Sequence, residues 1–308
     1  MSPLTNSNSL PDALYVTSPD YLGNVMDIKG LSEVCHKHGI PLLVDNAHGA
    51  YLAFLDKSLH PIHLGADMCC DSAHKTLPVL TGGAYLHLSQ RCAYTDAEVR
   101  NTLSLFASTS PSYLILQSLD LCNGYLTDGY REKLNAFLKD VKDIKKELLS
   151  LGYPTLDTND ELKLVFSATS CGYTGNELAN HLSKFKIEAE FADRDFLVLM
   201  LTPELLQKDL NRLSEAFRKL SPRKATATFE PMIYEKPTSC ISIRDAMFSP
   251  AETISSSEAL GRICASPSIS CPPAVPIVIS GETVNQSCID LLRYYGIDKI
   301  EVIKQKNT

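Results

Sequence analysis

The N-terminal third of the chain repeats one order: a short apolar run, a polar break, then an amphipathic or loop segment leading to the next apolar run. Residues 13–16 form the first run, and Thr17-Ser18-Pro19 breaks it. Asp27 then precedes an amphipathic stretch over 28–38 that Gly39 closes, the signature of a capped helix. Residues 41–44, 66–70 and 83–88 supply three further runs, each too short for a buried helix. Strand–helix–strand units with short links predict a parallel sheet covered by helices. Ligands in such sheets bind at the carboxyl ends of the strands. Asp45 follows one run, and Ser72-Ala73-His74-Lys75 follows another, so both fall where a ligand would sit.

Two longer helices are expected next, over 112–126 and 129–151. The second carries Leu134, Phe137, Leu138, Val141, Ile144 and Leu148 on one stripe, and Gly152 closes it. A second αβ region follows: strands over 163–168, 187–191 and 196–201, and helices over 175–184 and 203–220. Residues 221–228 read as a polar linker. The block 230–304 is rich in Pro, Ser and Cys and ends in a helix over 284–295 and a strand over 299–303. The expected division is a large domain with its connecting helices over 1–150 and a smaller C-terminal domain over 151–308.

Composition narrows the function. A net charge of −7 speaks against a nucleic-acid surface and mildly favours cationic substrates. There is no apolar run of the ~18 residues that a membrane helix needs, and residues 1–10 lack the basic-then-apolar order of a signal peptide. The ten cysteines are scattered without a CxxC pair. They read as reduced core residues of a cytoplasmic protein, with Cys69-Cys70 in a buried strand. His36-x-His38 and His60-x-x-His63 lack Cys or carboxylate partners at metal-ligand spacing, so both read as surface and no metal site is expected. No G-x-S-x-G elbow, Walker loop or dinucleotide fingerprint occurs.

Taken alone, Lys75 would be a lysine snorkelling to the surface after a strand. With His74, Ser72 and Asp45 it fits another need, that of pyridoxal 5'-phosphate (PLP). That cofactor takes a lysine amine on its aldehyde, a carboxylate at its pyridinium nitrogen, and hydroxyl and imidazole donors at its phosphate. Asp45 would keep the ring nitrogen protonated; its other reading is a helix N-cap. Ala47 is small enough for a ring to lie against its turn. Ser72 and His74 either bind the phosphate or cap the turn. His48 either borders the cofactor or is a polar turn residue.

These segments resemble the Orn/Lys/Arg decarboxylase family, PLP enzymes with the aspartate aminotransferase fold. The resemblance extends to Val16-Thr17-Ser18-Pro19-Asp20-Tyr21-Leu22-Gly23, to His36-Lys37-His38-Gly39-Ile40-Pro41-Leu42-Leu43-Val44-Asp45 and to Thr109-Ser110-Pro111-Ser112-Tyr113. Near the C-terminus it includes Glu258-Ala259-Leu260-Gly261-Arg262, Cys271-Pro272-Pro273-Ala274-Val275-Pro276 and Ser280-Gly281-Glu282. It implies an α/β PLP-dependent transferase-like (fold type I) three-layer large domain and an α+β C-terminal domain. It implies Lys75 and His48 at the catalytic centre, and Lys75, Asp45, Ala47, Ser72, His74 and Thr109 at the cofactor, with Thr109 reaching the phosphate of a partner subunit. The implied reaction is decarboxylation of arginine, lysine or ornithine in a homodimer or higher homo-oligomer, to an amine of polyamine biosynthesis.

Three departures stand out. Asn46 replaces the family's usual Glu or Ser, with little effect expected. Ser266-Pro267 replaces an acidic residue. The family's long first segment, with its phosphate loop and ring-stacking residue, has no counterpart, so the chain is expected to be an N-terminally incomplete large domain, as a fragment or a truncated product. The competing readings are another fold-type-I enzyme, such as an aminotransferase or desulfurase with Arg194, Arg212 or Arg244 as carboxylate clamp, and a non-catalytic dimerising paralogue.

Overall fold

The computed structural model describes residues 10–108, 110–221, 223–225, 234–267, 269–271 and 275–305. In chain order the elements are β1 (Leu14–Thr17), α1 (Ile28–Lys37), β2 (Leu42–Asp45), β3 (Met68–Asp71), α2 (Ala73–Thr76), β4 (Tyr85–Leu88), α3 (Asp96–Ser104), α4 (Tyr113–Thr127) and α5 (Tyr130–Ser150). Then follow β5 (Lys163–Ser167), α6 (Gly175–Ser183), β6 (Phe191–Ala192), β7 (Phe196–Met200), α7 (Gln207–Arg218), α8 (Ile243–Met247), β8 (Ala251–Ser255), β9 (Ile269–Cys271), β10 (Val275–Val278), α9 (Gln286–Tyr294) and β11 (Lys299–Ile303).

The sheet that positions the site has the order β1-β2-β3-β4. Strands β1, β2 and β3 are parallel, in a register that pairs Thr17 with Asp45 and Asp45 with Cys70. The expectation of a parallel sheet fails at β4, which runs antiparallel to β3 with Tyr85 opposite Asp71. The physical reason is length: between Asp71 and Tyr85 the chain forms only the short α2 and a turn, with no helix long enough to carry it back across the sheet to a parallel start. Helix α1 starts where Asp27 accepts from the Gly30 amide at 3.0 Å, and it ends at Gly39, whose φ of +67° suits glycine. Ile28 and Cys35 of α1 pack with Leu42, Val44, Ala66 and Cys69, with Leu14, Val16 and Leu31 against them. The alternation of the short strands is thereby explained, since one face meets α1.

Helix α5 buries the six-residue stripe read from its sequence. Helix α4 forms as expected but turns apolar residues outward, with Tyr113 85% and Leu114 68% exposed. Helix α3 was not anticipated, although Thr95-x-x-Glu98 is a capping box and both its hydrogen bonds form. The strand expected over 187–191 shrinks to β6, because the chain turns at Lys186, where φ is +58°. The helix expected from 203 begins at Gln207, since Pro203 lies in a turn and Asp209 accepts from the Leu206 amide at 3.1 Å. The short α8, β8, β9 and β10 were missed in the Pro- and Ser-rich block, whereas β11 falls on the residues expected and pairs antiparallel with β8. Around that pair lies a core of Ile277, Val278, Val284, Cys288, Leu292, Ile300 and Val302.

The chain divides into two compact units, Met1–Val165 with Val198–Lys219, and Phe166–Leu197 with Leu220–Thr308. The division falls within β5 and β7 and does not coincide with a single cut after residue 150. Among the described residues no helix is long and apolar enough to cross a membrane, and no disulfide links the cysteines.

The turn after β2 is closely packed. A Cβ on Gly49 would stand 2.0 Å from Asn46 Oδ1 and 2.7 Å from Leu52 Cδ1. Asn46 is buried and donates to Asp71 Oδ1 at 2.7 Å, so it has no open space to retreat into. Gly49→Ala is therefore expected to lower unfolding stability by about 1–3 kcal/mol, read as the urea midpoint; an unchanged midpoint would show that this turn yields freely.

Candidate active site

Parallel register brings the carboxyl ends of β1, β2 and β3 to one edge. Asp45, the last residue of β2, is fixed through both oxygens: Oδ1 accepts from the Ala47 amide at 3.0 Å, and Oδ2 accepts from the Tyr15 hydroxyl at 3.1 Å. The first bond folds the chain into an Asx-type turn directly after the strand. That turn carries His48 inward, where it is 3% exposed. From the next strand edge, α2 delivers Lys75, whose Nζ lies 3.1 Å from His48 Nε2.

Burial, then the charges of Lys163 and Lys75, push the His48 imidazole down to about 3. His48 is thus neutral near pH 7 and accepts at Nε2 from the Lys75 ammonium. This places its proton on Nδ1, a buried atom without a hydrogen-bond partner among the described residues. The Tyr21 ring meets His48 edge-on, with centroids 4.8 Å apart. Tyr21 is held in turn by the buried Lys163, whose Nζ donates to the Asp20 and Tyr21 carbonyls at 3.0 and 3.2 Å and lies 3.5 Å from Asp160 Oδ2.

The structure therefore joins Lys75 to His48, and Asp45 to Ala47. Ser72 precedes α2, and its side chain makes no capping hydrogen bond. His74 Nδ1 donates to the Gly83 carbonyl at 2.9 Å, so only Nε2 remains, and a bond from it to a phosphate oxygen requires the doubly protonated ring. Thr109 lies outside the described residues. Of the arginines considered as clamps, Arg194 lies on the Tyr294 ring at 4.4 Å and Arg212 pairs with Asp209 at 3.3 Å.

Sequence reasoning missed Tyr15 and Lys163 and gave Asn46 little weight. Tyr15 stands two residues before the end of β1, and register with β2 was its only signal. Asn46, for which little effect was expected, is fully buried and joins the turn to Asp71. Two surface assignments need correction. His60 is buried and bonded to Asp71 at 3.0 Å, and His36 is half-buried and bonded to Asp67 at 2.9 Å. Their carboxylates lie on or beside β3, distant in sequence, which is why spacing concealed them. Cys70 is exposed, while Cys69 beside it is buried as read.

The residues present fit PLP on donor chemistry. An amine stands beside a neutral acceptor, an anchored carboxylate ends the neighbouring strand, the Ser72 hydroxyl does not cap α2, and a buried imidazole N–H lacks a partner among the described residues.

A family model described as Orn/Lys/Arg decarboxylase, major domain, matches residues 3–168. The chain belongs to the Orn/Lys/Arg decarboxylase family. An arginine decarboxylase of Bacillus subtilis is 32% identical over 302 residues, which cover 92% of this chain and 61% of that protein. Among solved structures, the lysine decarboxylase LdcF of Francisella novicida superposes with a TM-score of 0.75 at 15% identity, over 96% of this chain and 58% of that one. The constitutive lysine decarboxylase of E. coli gives 0.73, also at 15% identity and with the same coverage. The fold is thus that of the fold-type-I enzymes, and the chain spans about three fifths of the length of the relatives it matches.

For this member of the decarboxylase family, the neutral His48 has a consequence for stability. Its folded value, about 3, lies below the ordinary 6.5, so between those values the unfolded chain takes a proton that the folded chain refuses. Stability from this group is present above pH 6.5 and is lost as pH falls toward 3. His48→Gln should flatten that acid-side loss by on the order of 4 kcal/mol, read from urea unfolding at stepped pH; parallel profiles for the two proteins would contradict it.

Proposed function

We propose that this chain carries the lysine side of the active site of a PLP-dependent decarboxylase acting on arginine, lysine or ornithine. The contact between Lys75 Nζ and His48 Nε2, beside Asp45 at the strand ends, carries the reading. Family membership supports decarboxylation as the reaction class. The acidic balance supports a cationic substrate.

When bound, PLP supplies an electron sink for the pair left behind as the α-carboxylate departs as CO2. Lys75 would hold the cofactor by its amine. Freed from it, Nζ would carry the proton that replaces the carboxylate on the substrate's α carbon. His48 at neutral pH is an acceptor and not an acid: it orients Nζ and would border the ring. Asp45 would hold the ring nitrogen protonated, its carboxylate aimed by Tyr15 and by the Ala47 amide, and Ala47 would leave room for the ring. Ser72, His74 and Thr109 would bind the phosphate, Thr109 from a second copy.

The proposed product is agmatine or a diamine, an amine of polyamine biosynthesis, made in the cytoplasm. A second copy would also cover the outward apolar residues of the α3–α4 region, where Phe106 is 86% exposed. Residues 1–150 are proposed as the cofactor-binding large domain and 151–308 as the family's C-terminal small domain.

The test is release of CO2 and amine from each of the three amino acids by the PLP-loaded protein. Lys75→Ala should abolish release. Asp45→Ala should slow it roughly 10²–10⁴-fold, as expected when about 3–5 kcal/mol of charge stabilisation is lost. Keto-acid formation without CO2 would favour the aminotransferase reading, and near wild-type turnover in Asp45→Ala would reject its role.

A further inference from the structure

Beneath the strand that leads to Lys75 lies a second polar cluster, which the proposed reaction does not use. Asp71 Oδ2 is 3.0 Å from His60 Nε2 and 3.0 Å from His87 Nε2, and these three ligand-type atoms lie within 4.8 Å of one another. His60 and Asp71 are buried, and His87 is half-buried. The thiol of buried Cys69 stands 3.8 Å from His60 Nε2 and 3.7 Å from Asp71 Oδ1. A cavity of about 300 Å³ opens beside them, lined by Ala50, Phe54, His60, His63, Asp71 and His87 among others.

Two imidazoles converging on a single carboxylate oxygen, with a thiol behind, form an N/O/S donor set that suits zinc-class cations. Ligand bonds of about 2.0–2.3 Å at tetrahedral angles place donor atoms roughly 3.3–3.5 Å apart. The three histidine and aspartate donors stand between 3.0 Å and at most 4.8 Å apart, so closing on a cation would need donor movements of up to about 1 Å. The remaining carboxylate oxygen, Asp71 Oδ1, accepts from Asn46 Nδ2 at 2.7 Å, which orients the group as an outer partner would. The three residues come from separate places, the loop after the 3₁₀ turn at Ala50–Phe54, the end of β3 and the middle of β4, so one ion would tie all three together.

We propose that His60, Asp71 and His87 bind a divalent cation of the zinc class, with Cys69 placed as the fourth donor. Coordination through Nε2 leaves the proton of each histidine on Nδ1, an exchange of tautomers, while Cys69 binds as the thiolate and its thiol proton passes to solvent. The ion would be structural, bracing β3 ahead of Ser72–Lys75, and its binding is read without reference to catalysis.

The test uses the full chain, stripped with a chelator and titrated with zinc chloride, with metal content measured after desalting. One zinc per chain is expected, and cobalt(II) in its place should give a tetrahedral absorption spectrum. His87→Gln, at the half-exposed ligand, should weaken zinc at least tenfold and more nearly 100-fold, while His63→Gln, at the exposed neighbour, should leave it unchanged. Circular dichroism of each variant confirms folding. Substoichiometric zinc in the wild-type chain would overturn the proposal and leave a purely hydrogen-bonded cluster. Zinc bound equally well by folded His60→Gln and His87→Gln would overturn it as well.

Discussion

Parallel pairing of β1, β2 and β3 sets Thr17, Asp45 and Cys70 abreast at one sheet edge, and the chemistry follows from that alignment. A one-residue slip would exchange the buried and exposed faces of a strand. It would also move Asp45 off the Tyr15 hydroxyl and withdraw the turn that buries His48. The register is protected by α1, whose Ile28 and Cys35 pack on Leu42, Val44 and Cys69. A few apolar contacts on one face of the sheet thereby fix where polar groups stand at its end.

The electrostatics of the site run through His48. Its ring is enclosed by Tyr21 and pressed by two cations, Lys75 and Lys163, so the protonated form is disfavoured. A neutral imidazole can receive a hydrogen bond from Lys75; an imidazolium there would repel it. Lys163 thus acts at a distance in two ways: it holds the Asp20 and Tyr21 carbonyls, and its charge helps keep the proton off His48.

Much of this was legible in sequence. The strand runs, the capped α1, the stripe of α5 and the placement of Asp45 at one strand end and Lys75 just beyond another all follow from local pattern, because each depends on residues near one another in the chain. What sequence concealed depends on pairing across strands. The direction of β4 rests on a short turn. The bonds of Tyr15 to Asp45 and of His60 and His87 to Asp71 join residues 11 to 30 positions apart. Histidines judged by their sequence neighbours therefore read as surface, although β3 supplies both His36 and His60 with carboxylates on or beside it. Short elements in the Pro- and Ser-rich C-terminal block left no periodicity to read, and the exchange of 198–219 into the first compact unit has no local signal at all.

The central claim is that Lys75 is the residue that holds the cofactor. Its most direct measurement is peptide mass mapping of the protein after incubation with PLP and reduction with borohydride, which makes a lysine-bound cofactor permanent. The account predicts the added mass on the peptide containing Lys75, and its loss in Lys75→Ala. A stoichiometric label on a different lysine, or labelling unchanged by Lys75→Ala, would contradict it.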